Sequence, residues 1–180
     1  NDFVMIDNRA GAISLTTEQI AALCHRRFGV GADGVLLLQR PEDPATSDAR
    51  MVYFNSDGSR AEMCGNGARC FVRYVREKGL TDKARVRVQT VNRLIELHWQ
   101  PDGRVTVDMS VPRFEHAELP FVATGLKARP VNGFELWPLE LIDTTVEVAV
   151  LSMGNPHAVM QVEDVDTADV LSLGPEVEVL

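Results

Sequence analysis

Residues 62–78 read EMCGNGARCFVRYVREK, a cysteine set against Gly-Asn-Gly that runs straight into a pattern of helical period. A glycine pair opposes helix formation, so the stretch costs local stability unless something needs the backbone close by. From about Asn66 to Lys78 the spacing predicts a helix that stops at Gly79. Ala68, Phe71 and Val75 serve one face, and Arg69, Arg73 and Arg76 share another. The cysteine at its head has four readings: nucleophile, acid–base group, metal ligand, or small apolar filler.

Strands surround this helix in the sequence. FVMID (3–7) reads as a short strand. TTEQIAALCHRRFG (16–29) reads as a helix with capping-box spacing at Thr16 and Gln19, an apolar stripe of Ile20, Leu23 and Phe28, and a stop at Gly29. VLLLQ (35–39) reads as a buried strand, RPEDPATSDA (40–49) as a loop, and RMVYF (50–54) as a strand entering the turn NSDG. After the helix come RVRVQT (85–90), RLIELHW (93–99) and RVTVDM (104–109), the last two joined by the hairpin signal QPDG. SVPRFEHAELP (110–120) has two prolines and no periodicity, as a linker would. Further strands are expected in FELWPLELI (134–142), TVEVAVLSM (145–153) and HAVMQV (157–162), with a short helical piece near 167–173. A strand-rich chain with one main helix per sheet fits the α+β class better than alternating βαβ units.

Composition narrows the function. With 180 residues and 45% hydrophobic content the chain can bury a sizeable core, as one domain or two small ones. A net charge of −8 argues against nucleic acid as a partner, because phosphate binding needs a basic footprint. The longest apolar runs, such as VLLL (35–38), are far too short to span a bilayer, so no membrane partner is expected. No signal-peptide pattern opens the chain. The start at Asn1 in mid-strand and the end in LGPEVEVL both read as cut points, so a fragment is expected. Cys24, Cys64 and Cys70 form an odd set without C-x-x-C spacing, which speaks against a disulfide framework or zinc site. Free thiols in the cytoplasm are the simplest reading.

One motif misleads. Residues 29–34, GVGADG, match G-x-G-x-x-G letter for letter. A dinucleotide fingerprint follows a strand and opens a helix. Here a helix precedes and a strand follows, so the reading is a helix end and a turn.

At a helix start the first N–H groups lack partners and the dipole favours negative charge. A Cys64 thiolate would be stabilised there and usable as a base. The N–H groups of Gly65, Asn66 and Gly67 can cradle a carboxylate that glycine lets approach closely. Base and cradle together suit removal of the proton beside a carboxylate. The competing reading is a buried thiol beside a glycine turn, and it is kept for Cys24 and Cys70, which sit in apolar helical patterns. Company favours chemistry for Cys64. Asn1, Asn55, Asn66 and Asn155 all fall at loop ends, where neutral amides can bond carboxylate and ammonium groups.

NDF (1–3), FNSDGS (54–59), CGNGARC (64–70), KGL (78–80) and SMGNPH (152–157), in this order, resemble diaminopimelate epimerase over essentially the whole chain. The resemblance implies an α+β fold of two pseudo-symmetric units, each a curved, mostly antiparallel sheet around a central helix. Residues 1–114 would be the first half-domain, and 115–180 the beginning of an incomplete second. It implies an isomerase that interconverts L,L- and meso-diaminopimelate on the way to lysine and peptidoglycan, with neither pyridoxal phosphate nor metal. Two cysteines on opposite faces of the α-carbon act as thiolate base and thiol acid. Carried over by motif, Cys64 is the first, Gly65 and Asn66 give N–H donors to the reacting carboxylate, and Asn1, Asn55 and Asn155 contact substrate. The second cysteine, in a Cys-Gly-Ser/Thr-Gly turn, would lie beyond Leu180, so this chain alone is expected to be inactive. Whether the assembly is a homodimer stays open.

Two positions depart from the family pattern. Gly34 stands where some members have a substrate-contacting Gln, and TVNR (90–93) puts Arg93 where a Gly is usual. His157 reads as a positioning or structural residue. The alternative to an epimerase is an inactive amino-acid-binding or scaffolding module on the same half-fold. A thiol redox pair of Cys64 and Cys70 fails on their separation along a helix.

Overall fold

The computed structural model describes residues 1–61 and 64–179; Glu62, Met63 and Leu180 lie outside them. The chain divides into two compact units, Asn1–Met109 and Ser110–Leu180.

The first unit holds β1 (Phe3–Asp7), α1 (Thr17–Cys24), β2 (Gly34–Gln39), β3 (Ala49–Asn55), β4 (Arg60–Ala61), α2 (Gly65–Glu77), β5 (Arg85–Gln89), β6 (Leu94–Trp99) and β7 (Val105–Val107). The sheet runs β1-β2-β3-β5-β6-β7, with β4 also paired to β3. β1–β2 and β3–β5 are parallel and the other pairs antiparallel. β3 meets β4 through Tyr53 and Phe54, and meets β5 through Ala49 and Arg50.

Side-chain alternation along β2 explains the unbroken VLLL run. Leu36 and Leu38 join a core with Ala68, Phe71, Val72 and Val75 of α2 and with Met51, Val86, Val88, Ile95 and Leu97 from the sheet. Val35 and Leu37 point the other way, into a second core with Ile20 and Cys24 of α1 and Val52. A strand covered on both faces has no polar side to show. Phe71 is fully buried, and burying a side chain of that size contributes about 1.5–3 kcal/mol.

α2 ends as its sequence predicts. Gly79 takes a φ of 64°, and Gly79 and Leu80 donate their N–H groups to Arg76 and Val75, the paired bonds of a Schellman turn. α1 ends earlier than expected. Its capping box between Thr16 and Gln19 is formed, but His25 is already extended and the helix stops at Cys24. Phe28 is therefore 89% exposed and no part of the buried stripe. Glycine at 29 answers a different need: a Cβ there would lie 2.0 Å from the Ala22 carbonyl oxygen, where the chain folds back on α1. Cys70 also departs from expectation. It is exposed, because it shares the outward stripe of α2 with Arg69, Arg73 and Glu77, while Ala68, Phe71, Val72 and Val75 face inward. Cys24 is buried, as expected.

The second unit is a four-stranded antiparallel sheet, β11-β10-β9-β8, of β8 (Arg129–Val131), β9 (Phe134–Glu140), β10 (Thr145–Ser152) and β11 (Pro156–Val159). Among its described residues Trp137 and Val148 are the buried ones, and Phe121 and His116 pack on the Trp137 ring at 5.4 and 4.7 Å. The proline-flanked stretch expected as a linker is tied into this unit. Arg113 exchanges both backbone hydrogen bonds with Ser152, and His116–Glu118 form a 3-10 turn. The helical piece near 167–173 extends from Val170 to Val179 as α3, which buries no residue and bonds back through Glu176 to the Ile142 N–H. Among the described residues no helix is long and apolar enough to cross a membrane.

Candidate active site

Cys64 is the N-cap of α2, with extended backbone and a half-buried side chain. Its Sγ accepts the Gly67 N–H at 3.2 Å, and its carbonyl accepts the Ala68 N–H at 2.8 Å. The thiol thus lies back over the first helical turn. Gly67 makes that possible, since a Cβ on it would sit 3.2 Å from Sγ and 3.3 Å from Leu36 Cδ2. The Gly65 and Asn66 N–H groups are the first two of the helix and have no intrahelical acceptor. Beside Gly65, Met109 Sδ lies 3.6 Å from where a Cβ would be.

Asn66 and Asn1 meet directly, although 65 positions apart. Asn66 Nδ2 donates to Asn1 Oδ1 at 2.6 Å, and Arg69 donates to Asn66 Oδ1. Asn1 Nδ2 in turn donates to Asp33 Oδ2 at 2.8 Å. Arg26 donates to Asp33 at 2.6 Å and to both Asp2 oxygens at 2.8 and 3.0 Å. The hydrogen bond from Asn1 holds the Asp33 carboxyl below its ordinary range against partial desolvation, with Arg26 assisting. Asp2 is lowered to about 2, chiefly by hydrogen bonding from Arg26.

Asn55 ends β3 opposite Gly34 of β2. The turn after it fixes its side chain: Asn55 Nδ2 donates to Ser59 Oγ at 3.0 Å, and Gly58, at φ 86°, donates to the Asn55 carbonyl. Gly34 has no room for any side chain. A Cβ would lie 2.4 Å from the Phe54 carbonyl oxygen and 2.5 Å from Tyr53 Cε2. Tyr53 fills that place instead, with its ring edge-on to Phe3. Burial pushes the Tyr53 hydroxyl above its usual pKa, and the nearby Cys64 adds to this, so it stays a donor at neutral pH.

Asn155 belongs to the second unit, in the turn from β10 to β11. Its carbonyl accepts the Met153 N–H at 3.2 Å and lies 2.9 Å from His157 Nδ1. The four residues TVNR close a tight turn without glycine: Thr90 Oγ1 and the Thr90 N–H both donate to the Arg93 carbonyl. Among the described residues no three His, Cys, Asp or Glu side chains gather as a metal-holding group.

The first unit therefore brings Cys64, Gly65, Asn66 and Asn1 into one cluster. Asp33, Arg26, Asp2 and Tyr53 escaped the sequence reading. Asp33 stood inside GVGADG, the motif set aside as a turn, and nothing in its spacing tied it to residue 1 or 66.

A family model described as diaminopimelate epimerase matches residues 1–115. The chain is 52% identical over 185 residues to a protein named diaminopimelate epimerase from Leptothrix cholodnii, covering 99% of this chain and 62% of that protein. It is 49% identical over 178 residues, with the same coverages, to the protein of that name from Thioalkalivibrio sulfidiphilus. It thus spans about 62% of the length of these curated relatives. Among solved structures, a phenazine biosynthesis protein of the PhzF family from Bacillus anthracis matches with a TM-score of 0.53 at 19% identity, over 89% of this chain and 50% of that one. A hydroxyproline epimerase from Agrobacterium vitis matches with a TM-score of 0.52 at 17% identity, over 91% and 48%. At such identities these two likenesses speak for the fold, which is of the same curled α+β kind.

Proposed function

The chain belongs to the diaminopimelate epimerase family, and from that premise we propose that the intact protein interconverts L,L- and meso-diaminopimelate by cofactor-independent proton transfer between thiols. The observation that carries the proposal is the placement of Cys64 as a half-buried N-cap, over a glycine-lined first turn and beside the Asn1–Asn66 pair.

In the proposed reaction the Cys64 thiolate takes the α-hydrogen as a proton from one face, and an S–H bond forms as the C–H bond breaks. The electron pair left on carbon delocalises into the adjoining carboxylate. The N–H groups of Gly65 and Asn66 meet that growing charge, with the helix dipole behind them. A proton arrives on the opposite face from a second thiol, which ends as the thiolate, while Cys64 ends as the thiol. The reverse direction restores both. A single fixed base would return the proton to the face it left, so inversion requires the second acid. Neither other cysteine within residues 1–180 suits that role: Cys24 is buried in the core with α1, and Cys70 is exposed on the outer stripe of α2. Asn1, Asn55 and Asn155 are assigned to substrate contact through their amides.

The test is conversion of L,L-diaminopimelate followed by chiral chromatography. The intact gene product should form the meso isomer, its Cys64→Ala variant should form none, and residues 1–180 alone should form none. Binding of diaminopimelate without conversion by the intact protein would instead identify an inactive amino-acid-binding module. Conversion by Cys64→Ala at the wild-type rate would overturn the assignment of the thiol.

A further inference from the structure

Hydrogen bonds in the cluster form a run with only one consistent direction. At one end stands Asp33, whose ionised carboxylate can only accept; at the other stands Arg69, which can only donate. Between them lie two amides that can each be turned by 180° without changing shape. Asp33 requires the Nδ2 side of Asn1. That choice turns Asn1 Oδ1 toward Asn66, whose Nδ2 must then donate, and Asn66 Oδ1 is left for Arg69. Reversing either amide would set oxygen against oxygen at one junction and nitrogen against nitrogen at the other.

We propose that Asp33, braced by Arg26, is a positioning residue that sets the orientation of the Asn1 amide and, through it, that of Asn66 at the start of α2. The proposal rests on the reading of this cluster as the substrate site. Each amide spends one Nδ2 hydrogen within the run and keeps one for a substrate carboxylate. With the amides turned the other way, the same positions would offer lone pairs and repel it. Substrate affinity is therefore encoded in direction, which a surface ion cluster would not otherwise supply, since exposed pairs add little to stability. Arg26 holds Asp33 in place while also gripping Asp2, the residue next to Asn1. The Asp33 N–H also donates to the Asp2 carbonyl at 3.0 Å, so the segment carrying Asn1 is fixed at both backbone and side chain.

The decisive experiment is a double-mutant cycle in the intact gene product with L,L-diaminopimelate as substrate. Asp33→Asn keeps the size of the side chain but lets either end of an amide face Asn1. It should raise KM about tenfold, the worth of one or two hydrogen bonds, with kcat within about twofold and an unchanged melting temperature. Asn1→Ala should show a similar rise, and the double variant should be no worse than Asn1→Ala alone. Effects that multiply in the double variant, or an unchanged KM in Asp33→Asn, would overturn the proposal. A protein that turns over no diaminopimelate would sink the functional reading but not remove the test. In 15N-asparagine-labelled protein, the Asn1 side-chain amide, assigned by its loss in Asn1→Ala, should exchange slowly with water and should exchange freely in Asp33→Asn. Identical Asn1 amide exchange in the two proteins would refute the proposal with or without activity.

Discussion

Gly67 has no side chain because the Cys64 thiol uses the space. A methyl group there would stand 3.2 Å from Sγ and 3.3 Å from Leu36 Cδ2, so one of them must shift by a few tenths of an ångström. Gly67→Ala is expected to move the thiol rather than Leu36, which is locked in the core. Better helix propensity, worth up to about 1 kcal/mol, offsets the crowding in stability. In the intact protein, kcat/KM for the proposed epimerisation should nevertheless fall by about 10- to 100-fold, the result expected from misplacing the thiol proposed to react. Steady-state kinetics beside thermal unfolding checks both parts. Gly34→Ala differs, because its Cβ would strike backbone at 2.4 Å; a loss of about 1–3 kcal/mol is expected from chemical denaturation. At this scale the motif CGNGA disclosed the N-cap cysteine and its open N–H groups, since a glycine-flanked residue before an apolar pattern marks a helix start. Asp33 and Tyr53 were not legible. Their roles depend on which strand lies beside which, and no local spacing encodes that.

Elements were readable where their own chemistry closes them. Thr16 and Gln19 cap α1 through reciprocal bonds at 3.2 and 2.9 Å, and Gly79 closes α2. Thr16→Ala should lower stability by about 1 kcal/mol, read as a shifted urea midpoint with unchanged slope. Phe71→Ala on the buried face of α2 should cost about 3–5 kcal/mol by the same measurement, because eight buried sheet residues share one core with that face. The end of α1 was misjudged for a physical reason. Gly29 looks like a helix stop, but the chain leaves the helix at His25, whose ring Nδ1 accepts the Arg27 and Phe28 N–H groups at 3.1 Å each. A histidine side chain thus ended the helix four residues early, and the glycine serves the return of the chain.

Across the first unit, Asp48 ties β3 to the strand that follows α2. It accepts the Arg87 N–H at 2.8 Å and Lys83 Nζ at 2.6 Å, and its own N–H donates to the Arg87 carbonyl. Burial would raise its pKa, but the Arg87 N–H and Lys83 outweigh burial and hold it below the ordinary value. A depressed carboxyl contributes stability that is full above the unfolded pKa of about 4 and is lost as pH falls through the folded one. Asp48→Asn should therefore be less stable than wild type at pH 7, by about 1–2 kcal/mol, with the gap closing below about pH 4. Unfolding curves at pH 7, 5 and 3 test this. The strand order around Asp48 was beyond the sequence, because β3 and β5 pair in parallel only after the α2 crossover brings them together. The α+β class was legible, since hydrophobic alternation and turn signals are local.

The most direct test of the chemistry assigned to Cys64 is to run the intact gene product on L,L-diaminopimelate in D2O and follow the α-carbon by mass spectrometry. Solvent deuterium should enter the α-position as the meso isomer forms, and Cys64→Ala should take up none above the uncatalysed rate. Deuterium uptake by Cys64→Ala at the wild-type rate would mean that another group removes the proton, and that the thiol on the first turn of α2 is not the base.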